Sequence, residues 1–224
     1  MIITIAIDGP SAAGKSTVAK GVAKKLGFVY VDTGAMYRCV TLYALRQGVD
    51  CQDDEKVVSL LKDINIELLK DGRVMLNNED VTKEIRCQDV VLNVSYIAAN
   101  KGVRLFLVDL QRKMGSNVSV VLDGRDIGTY VFPNATVKIF QVADVHERAI
   151  RRHKENLLKG IECTLEDVEK DLERRDYIDS HREFAPLKQA SDAVLVDTTR
   201  MSIDEAIDAM TNIVLNKVGN INGK

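Results

Sequence analysis

The sequence predicts an α/β protein: a five-stranded parallel sheet with helices on both faces, a small antiparallel hairpin insert and a helical lid. Three observations lead there. Short, almost uniformly apolar runs alternate with segments of helical spacing, the pattern of strands buried on both faces. The first run passes directly into a glycine-bearing loop and then a helical segment. Two strictly alternating runs flank Asp71-Gly72, a hairpin signal.

The opening unit is the most informative. Residues 2–7 form an apolar strand, and Val18, Val22 and Leu26 set a helical stripe. Between them stand Gly9, Pro10, Ser11, Ala12, Ala13, Gly14, Lys15, Ser16 and Thr17. The spacing Gly9-x-x-x-x-Gly14-Lys15-Ser16 is that of a P-loop, and with it the P-loop NTPase fold is expected. A glycine-bearing turn aims successive backbone N–H groups at phosphate oxygens, and the helix N-terminus adds a positive dipole end. Lys15 supplies a point charge for the β- and γ-phosphates of a bound nucleotide, and the Ser16 hydroxyl suits Mg²⁺.

At 224 residues the chain can bury a sizeable core, and 46% hydrophobic with 29% charged residues is ordinary for a soluble protein. A net charge of −2 gives no general attraction to nucleic acid or an anionic membrane. Cys39, Cys51, Cys87 and Cys163 form no C-x-x-C pair, and with His146, His153 and His181 they make no metal-ligand spacing. Reduced thiols in a cytoplasmic protein are expected. No signal peptide is expected, because a basic n-region and a cleavage site are lacking, and no apolar run is long enough to span a bilayer.

Residues 29–31 read as a second strand ending at Asp32, and Thr33-Gly34 opens a helix that Gly48 ends. Thr33 and Tyr37 are four apart, as are Gly34 and Arg38, so a hydroxyl, a phenol and a guanidinium can converge on one anion. An ordinary N-cap with a solvated arginine fits the same spacing. A short helix over 53–61 precedes the hairpin runs 64–68 and 73–77, which residues 79–81 can extend. The insert spans roughly 56–96 and is too small to be a domain of its own. Residues 85–100 and 102–115 read as helices. In the second, Val103, Phe106, Leu107, Leu110 and Met114 form one buried face, with Arg104 off that stripe and free for another role.

Residues 118–122 are a buried-type strand running into Asp123, the position from which a P-loop enzyme holds the metal's water shell. A loop over 124–129 follows, with Arg125 and Asp126 between glycines, and a ligand contact is favoured there over a surface ion pair. Residues 136–142 are the fourth strand. Asp144 starts a helix bearing Arg148, Arg151 and Arg152; the chain breaks at Gly160 and restarts at Thr164, reaching Arg174, Arg175, Asp176, Asp179 and Arg182. These two charged helices suit a lid, and a solvated helical hairpin accounts for many of the same charges. Residues 193–197 are the fifth strand, Ile203, Ala206, Ile207, Met210, Ile213 and Val214 mark a closing amphipathic helix, and the polar tail over 219–224 is expected to fray.

A donor phosphate site, a second anion site (Thr33, Tyr37, Arg38, Arg125) and an arginine-rich lid fit phosphoryl transfer between two bound ligands better than a one-ligand switch. Such transfer needs placement, charge neutralisation and exclusion of water, and no general base when the acceptor is already a phosphate oxyanion.

Three motifs then narrow the reading: Asp32-Thr33-Gly34-Ala35-Met36-Tyr37-Arg38, Asp123-Gly124-Arg125-Asp126-Ile127-Gly128-Thr129, and Arg175-Asp176 with Asp179-Ser180, Arg182 and Pro186-Leu187. With the hairpin insert they resemble the bacterial cytidylate kinases over about residues 3–215. The resemblance implies one cytidylate-kinase domain over 1–224, a monophosphate-binding region over 33–104 and a lid over about 151–176. It implies ATP with CMP or dCMP as substrates, Mg²⁺ as cofactor, and a monomer with no nucleic-acid or membrane partner. By position, Arg38 and Arg125 would hold the acceptor phosphate. Ser95, Arg104 and Asp126 would read the cytosine, with Arg182 beside them. Asp179 and Arg175, with Thr33 nearby, would meet the sugar, and Tyr37 would join the acceptor site. Lys15, Arg125, Arg151 and Arg175 would be the catalytic cations, with Arg151 and Arg152 in the lid, Ser16 a direct Mg²⁺ ligand and Asp123 a ligand through water. Thr33 stands where some members have serine, and His181 has no assigned role and reads as solvated. An adenylate, thymidylate or shikimate-type kinase would lack the insert and the Gly-Arg-Asp loop. A GTPase would want Asn-Lys-x-Asp where this chain has Asp197-Thr198-Thr199-Arg200.

Overall fold

The computed structural model describes residues 1–158 and 160–219. The chain divides into two compact units, one of residues 1–30 with 118–224 and one of residues 31–117. Of the tail expected to fray, 219–224, residues 220–224 lie outside the described residues; Gly219, with φ 76°, caps the last helix.

The first unit is built on the five-stranded sheet. Its strands are β1 (Thr4–Asp8), β2 (Val29–Asp32, entering the second unit after Tyr30), β6 (Val120–Gly124), β7 (Val137–Val142) and β8 (Val194–Asp197), in the order β2-β6-β1-β7-β8. β1 runs parallel to β6 and to β7, and β7 parallel to β8. This register sets Asp8 beside Gly124 and Ile7 beside Asp123, so β1 and β6 end together where their loops begin. Helices α1 (Lys15–Leu26) and α8 (Ile203–Val218) cover one face. Val18, Val22 and Leu26 of α1 and Ile207, Met210 and Val214 of α8 close over Ile5, Ile7, Val121 and Ile139. A capping box closes the start of α8, with Ser202 and Glu205 bonding each other's backbone N–H. α6 (Val145–Leu158) and α7 (Leu165–His181) form the charged hairpin; Gly160 has φ 73°, and Thr164 caps α7 through the Asp167 N–H, as the sequence suggests.

The second unit packs α2 (Thr33–Arg46), α4 (Gln88–Ala99) and α5 (Lys101–Gly115) around one core with α3 (Asp54–Leu60). A three-stranded antiparallel sheet, β3 (Ile66–Leu68), β4 (Val74–Leu76) and β5 (Glu79–Asp80), adds Ile66, Val74 and Leu76 to that core. The hairpin turns at Gly72, with φ 90°, and the β4–β5 turn uses Asn77 and Asn78, both left-handed.

Three expectations change. The helix expected over 85–100 is broken: a 3₁₀ turn spans Glu84–Arg86, Cys87 is extended, and α4 starts only at Gln88. The 124–129 loop does not stay irregular, because Tyr130 and Val131 donate to the Asp126 carbonyl and wind Ile127–Val131 into a π-helical turn. Arg104 is not at liberty on a helix surface: it is 1% exposed, among the most buried large side chains. The stripe itself holds, with Val103 and Leu107 fully buried.

Candidate active site

The phosphate loop leaves β1 at Gly9, whose backbone has φ 155°. A Cβ at that position would lie 2.0 Å from the Gln141 carbonyl oxygen, so no other residue fits. Gln141 reaches the loop a second time, its Nε2 donating to the Ala13 carbonyl at 2.5 Å. Ala12 is left-handed at φ 55°, a strained conformation for a residue with a side chain and one that recurs at ligand clamps. Replacing Gly9 by alanine should therefore destabilise the protein by roughly 2–4 kcal/mol and abolish ATP binding; a thermal melt with an ATP titration reads both.

Gly14 caps α1 in the left-handed region with no side chain accepting from the helix, and no acidic residue stands in the first turn. α3, α7 and α8 all carry both an acceptor cap and first-turn carboxylates. The N-terminus of α1 thus keeps open N–H groups and has no carboxylate in its own first turn, and Gly14, Ser16 and Thr17 are exposed there.

Buried cations and carboxylates crowd this terminus. Lys15 is 5% exposed, its Nζ donating to the Pro10 carbonyl at 2.6 Å. Burial, with the nearby Arg125 guanidinium, brings its pKa from 10.5 down to about 7. Arg175 is 9% exposed, and its Nε has no hydrogen-bond partner among the described residues. Burial and then Arg125 bring it down to about 10. Arg125 itself donates from Nε to Asp179 at 2.7 Å and from a terminal nitrogen to the Ser11 hydroxyl at 2.9 Å. Burial disfavours the charge of Arg125, but Asp179 outweighs it and holds the group up. Burial works against Asp179 as well, and Arg125 with Arg182 overcomes it and keeps that carboxyl low.

Ser16 donates to Asp123 at 2.7 Å, and the Tyr30 phenol donates to the other Asp123 oxygen at 2.8 Å. A hydroxyl and a carboxylate in contact, beside an open helix N-terminus, are an oxygen donor set that fits Mg²⁺. Asp126 is 3% exposed, with Arg182 at 3.7 Å, and Arg182 is 3.7 Å from Asp179. The guanidinium of Arg182 is oriented by two bonds to the Ala185 carbonyl, at 2.9 and 2.6 Å. Lys15, Ser16, Asp123, Arg125, Asp126, Arg175, Asp179 and Arg182 are thus gathered in the first unit. Arg151 stands apart from that cluster. It donates to the Thr199 carbonyl at 2.9 Å, and Arg152 pairs with Glu155 at 3.3 Å. His181 is exposed and stacks on Tyr177.

In the second unit the start of α2 carries the expected trio. Thr33 and Tyr37 are buried, and Arg38 pairs with Asp32 at 3.1 Å. Asp32 also caps α2 through the Ala35 N–H at 2.8 Å and pairs with Arg86 at 3.2 Å; burial opposes its charge, yet the two guanidinia hold its carboxyl low. Arg104 donates to the Ala98 carbonyl at 3.0 Å and lies over the Tyr37 ring at 5.3 Å, a cation–π contact. Ser95, on α4, is 3% exposed.

Four residues that support the loops here were given no individual role by the sequence. Asp8 accepts the N–H groups of Ile127 and Gly128, each at 2.8 Å. Arg148 donates to the Ser11 carbonyl at 2.8 Å and to Asp176 at 2.7 Å, while Asp176 accepts the Ser11 N–H at 3.0 Å. Gln141 completes the set. Asp8 and Gln141 sit on strands next to the loops they hold, and position along a strand is the only clue the sequence offers.

Such an arrangement can bind a polyanion at an uncapped helix N-terminus and neutralise it with buried cations. Comparison with known proteins specifies it. Residues 5–216 match the family model for cytidylate kinase. The chain is 52% identical over 215 residues to a cytidylate kinase of Ligilactobacillus salivarius, covering 95% of this chain and 96% of that protein. It is 53% identical over 213 residues to one of Oceanobacillus iheyensis, covering 94% and 93%. A crystal structure of an uncharacterized protein from Eubacterium ventriosum superposes with a TM-score of 0.51 at 12% identity, over 96% of this chain and 99% of that one, a likeness of fold alone. No helix among the described residues is long and apolar enough to cross a membrane. The match over nearly the whole chain, on a sheet whose phosphate loop and Gly-Arg-Asp segment stand side by side, places this protein in the cytidylate kinase family.

Proposed function

We propose that the protein transfers the γ-phosphoryl of ATP to CMP or dCMP, giving ADP and CDP or dCDP. One observation supports this most: Lys15 and Arg175 are buried cations whose charge is disfavoured in the free protein, beside a helix N-terminus that no side chain caps. A site of that kind is completed by a polyphosphate.

ATP would lie along residues 9–17, with backbone N–H groups and Lys15 on its phosphates. Ser16 would ligate Mg²⁺ directly, and Asp123, already bonded to Ser16, through water. Bound there, the ion neutralises phosphate charge and fixes the phosphate chain. CMP would place its phosphate against Arg38 and Arg125, with Tyr37 and Thr33 nearby. Ser95, Arg104, Asp126 and Arg182 would read the base, and Asp179 with Arg175 the sugar. Arg125 and Arg175 neutralise the moving phosphoryl, which needs placement and charge rather than covalent help. The α6–α7 hairpin is the lid, and its closure excludes water. Arg151 would meet the phosphates from the lid, one of its terminal nitrogens being held by the Thr199 carbonyl in the free protein. The reading extends to a monomer of the cytoplasm, where four free thiols are the ordinary state.

A coupled ADP-release assay with ATP, Mg²⁺ and CMP, dCMP, UMP, AMP or dTMP tests the proposal. CMP and dCMP should give the highest efficiencies. Absence of turnover with both cytidine nucleotides would overturn it.

A further inference from the structure

We propose that Asp8 is a positioning residue for the acceptor base: it fixes the 124–128 segment, and through it Asp126 and Arg125, to the strand that launches the phosphate loop. This rests on the reading that Asp126 and Arg125 meet the acceptor.

Asp8 ends β1, one residue before Gly9, and lies in register with Gly124 of β6. Its side chain is directed at the loop that follows β6, and it also lies within electrostatic reach of Lys15 in its own loop. One carboxylate oxygen accepts the Ile127 N–H and the other the Gly128 N–H, both at 2.8 Å. These donors are the first two after Asp126, so the pair of bonds fixes the backbone that carries it. Gly128 also borders Lys138: a Cβ there would lie 3.1 Å from the Lys138 side chain, while the Asp8 oxygen would be in ordinary contact at 3.4 Å.

Keeping a carboxylate at this place is costly. Asp8 is 4% exposed, and burial pushes its pKa up to about 6 despite the two N–H donors. An apolar residue would suit a buried strand better, so the charge is retained for what it holds. Asp8 lies on β1 and binds β6's outgoing chain, so the phosphate loop and the base-reading segment share one anchor. A shift of about 1 Å in such a segment can cost on the order of 100-fold in rate.

Asp8→Asn is the test. The amide keeps the volume and removes a buried charge, so folding is retained, but its NH₂ confronts one of the two backbone donors and that bond is lost. Asp8→Ser, whose hydroxyl can accept at most one of the two N–H groups, is the second variant. Efficiency with CMP and with UMP, KM for ATP and the melting temperature are measured for both. Efficiency with CMP should fall roughly 10- to 100-fold, with the CMP:UMP ratio falling at least about fivefold and KM for ATP within about threefold. A CMP:UMP ratio unchanged in either soluble variant would overturn the proposal, whatever happens to the melting temperature, since a purely structural Asp8 lowers stability without altering base preference. A wild-type protein inactive on CMP would instead overturn the functional reading itself.

Discussion

Replacing Lys15 by alanine will lower turnover by roughly 10²- to 10³-fold, the range for deleting one preorganised donor at a site of developing charge, while KM for CMP stays within about threefold. The side chain is buried in the phosphate loop, and in the free protein its ammonium is bonded to the Pro10 carbonyl. Its pKa of about 7, against an ordinary 10.5, adds a second readout. Above pH 7 the lysine is largely neutral in the free protein, and phosphate oxygens favour its charged form. ATP binding at pH 8 should therefore take up about one proton, seen by calorimetry in buffers of different ionisation enthalpy, and Lys15→Met should remove most of that uptake. The sign for stability follows: a folded-state pKa lowered below the unfolded value means this group's contribution improves as pH rises from about 7 towards 10.5 and is least favourable below 7. Equal loss of turnover and of CMP binding in Lys15→Ala would contradict the assignment.

The phosphate loop was legible because its chemistry is local. A helix N-terminus, a lysine and a hydroxyl at fixed offsets follow from one stretch of chain, and so do the left-handed glycines at Gly14 and Gly72. The five parallel strands, and the assignment of Ser16 and Asp123, 107 residues apart, to one metal, came from a pattern of β and α units that P-loop proteins share, whereas the strand order came only with the structure. What spacing did not give is what depends on register. Asp8 reads as the end of a strand until β1 is set against β6 and its oxygens meet the N–H groups of Ile127 and Gly128. Arg148 and Asp176 read as members of a charged hairpin, and only packing of α6 on α7 puts both on Ser11. Arg104 misled for the opposite reason: helical periodicity moved it off the apolar stripe, while a bond to the Ala98 carbonyl and the face of Tyr37 make its burial tolerable. Periodicity counts apolar side chains and cannot see a cation that is buried with partners.

Asp126→Ala carries the second large effect. Cytosine presents an amino donor at N4 and acceptors at N3 and O2, so a carboxylate and a guanidinium complement it. Uracil turns O4 toward the carboxylate and N3–H toward the guanidinium. Asp126 and Arg182 form such a pair, 3.7 Å apart and both nearly buried. Polar groups left unpaired in a buried site discriminate by up to about 10⁴-fold, so Asp126→Ala should lose about 10²-fold or more in efficiency with CMP and far less with UMP. Equal losses for the two nucleotides, measured as kcat/KM under the same ATP concentration, would remove Asp126 from base recognition.

Direct transfer between two bound nucleotides is tested by following the phosphorus. With ATP, Mg²⁺ and CMP, phosphorus NMR should show the ADP and CDP β-phosphate resonances growing at equal rates, with no inorganic phosphate. ADP accompanied by inorganic phosphate and no CDP would contradict it.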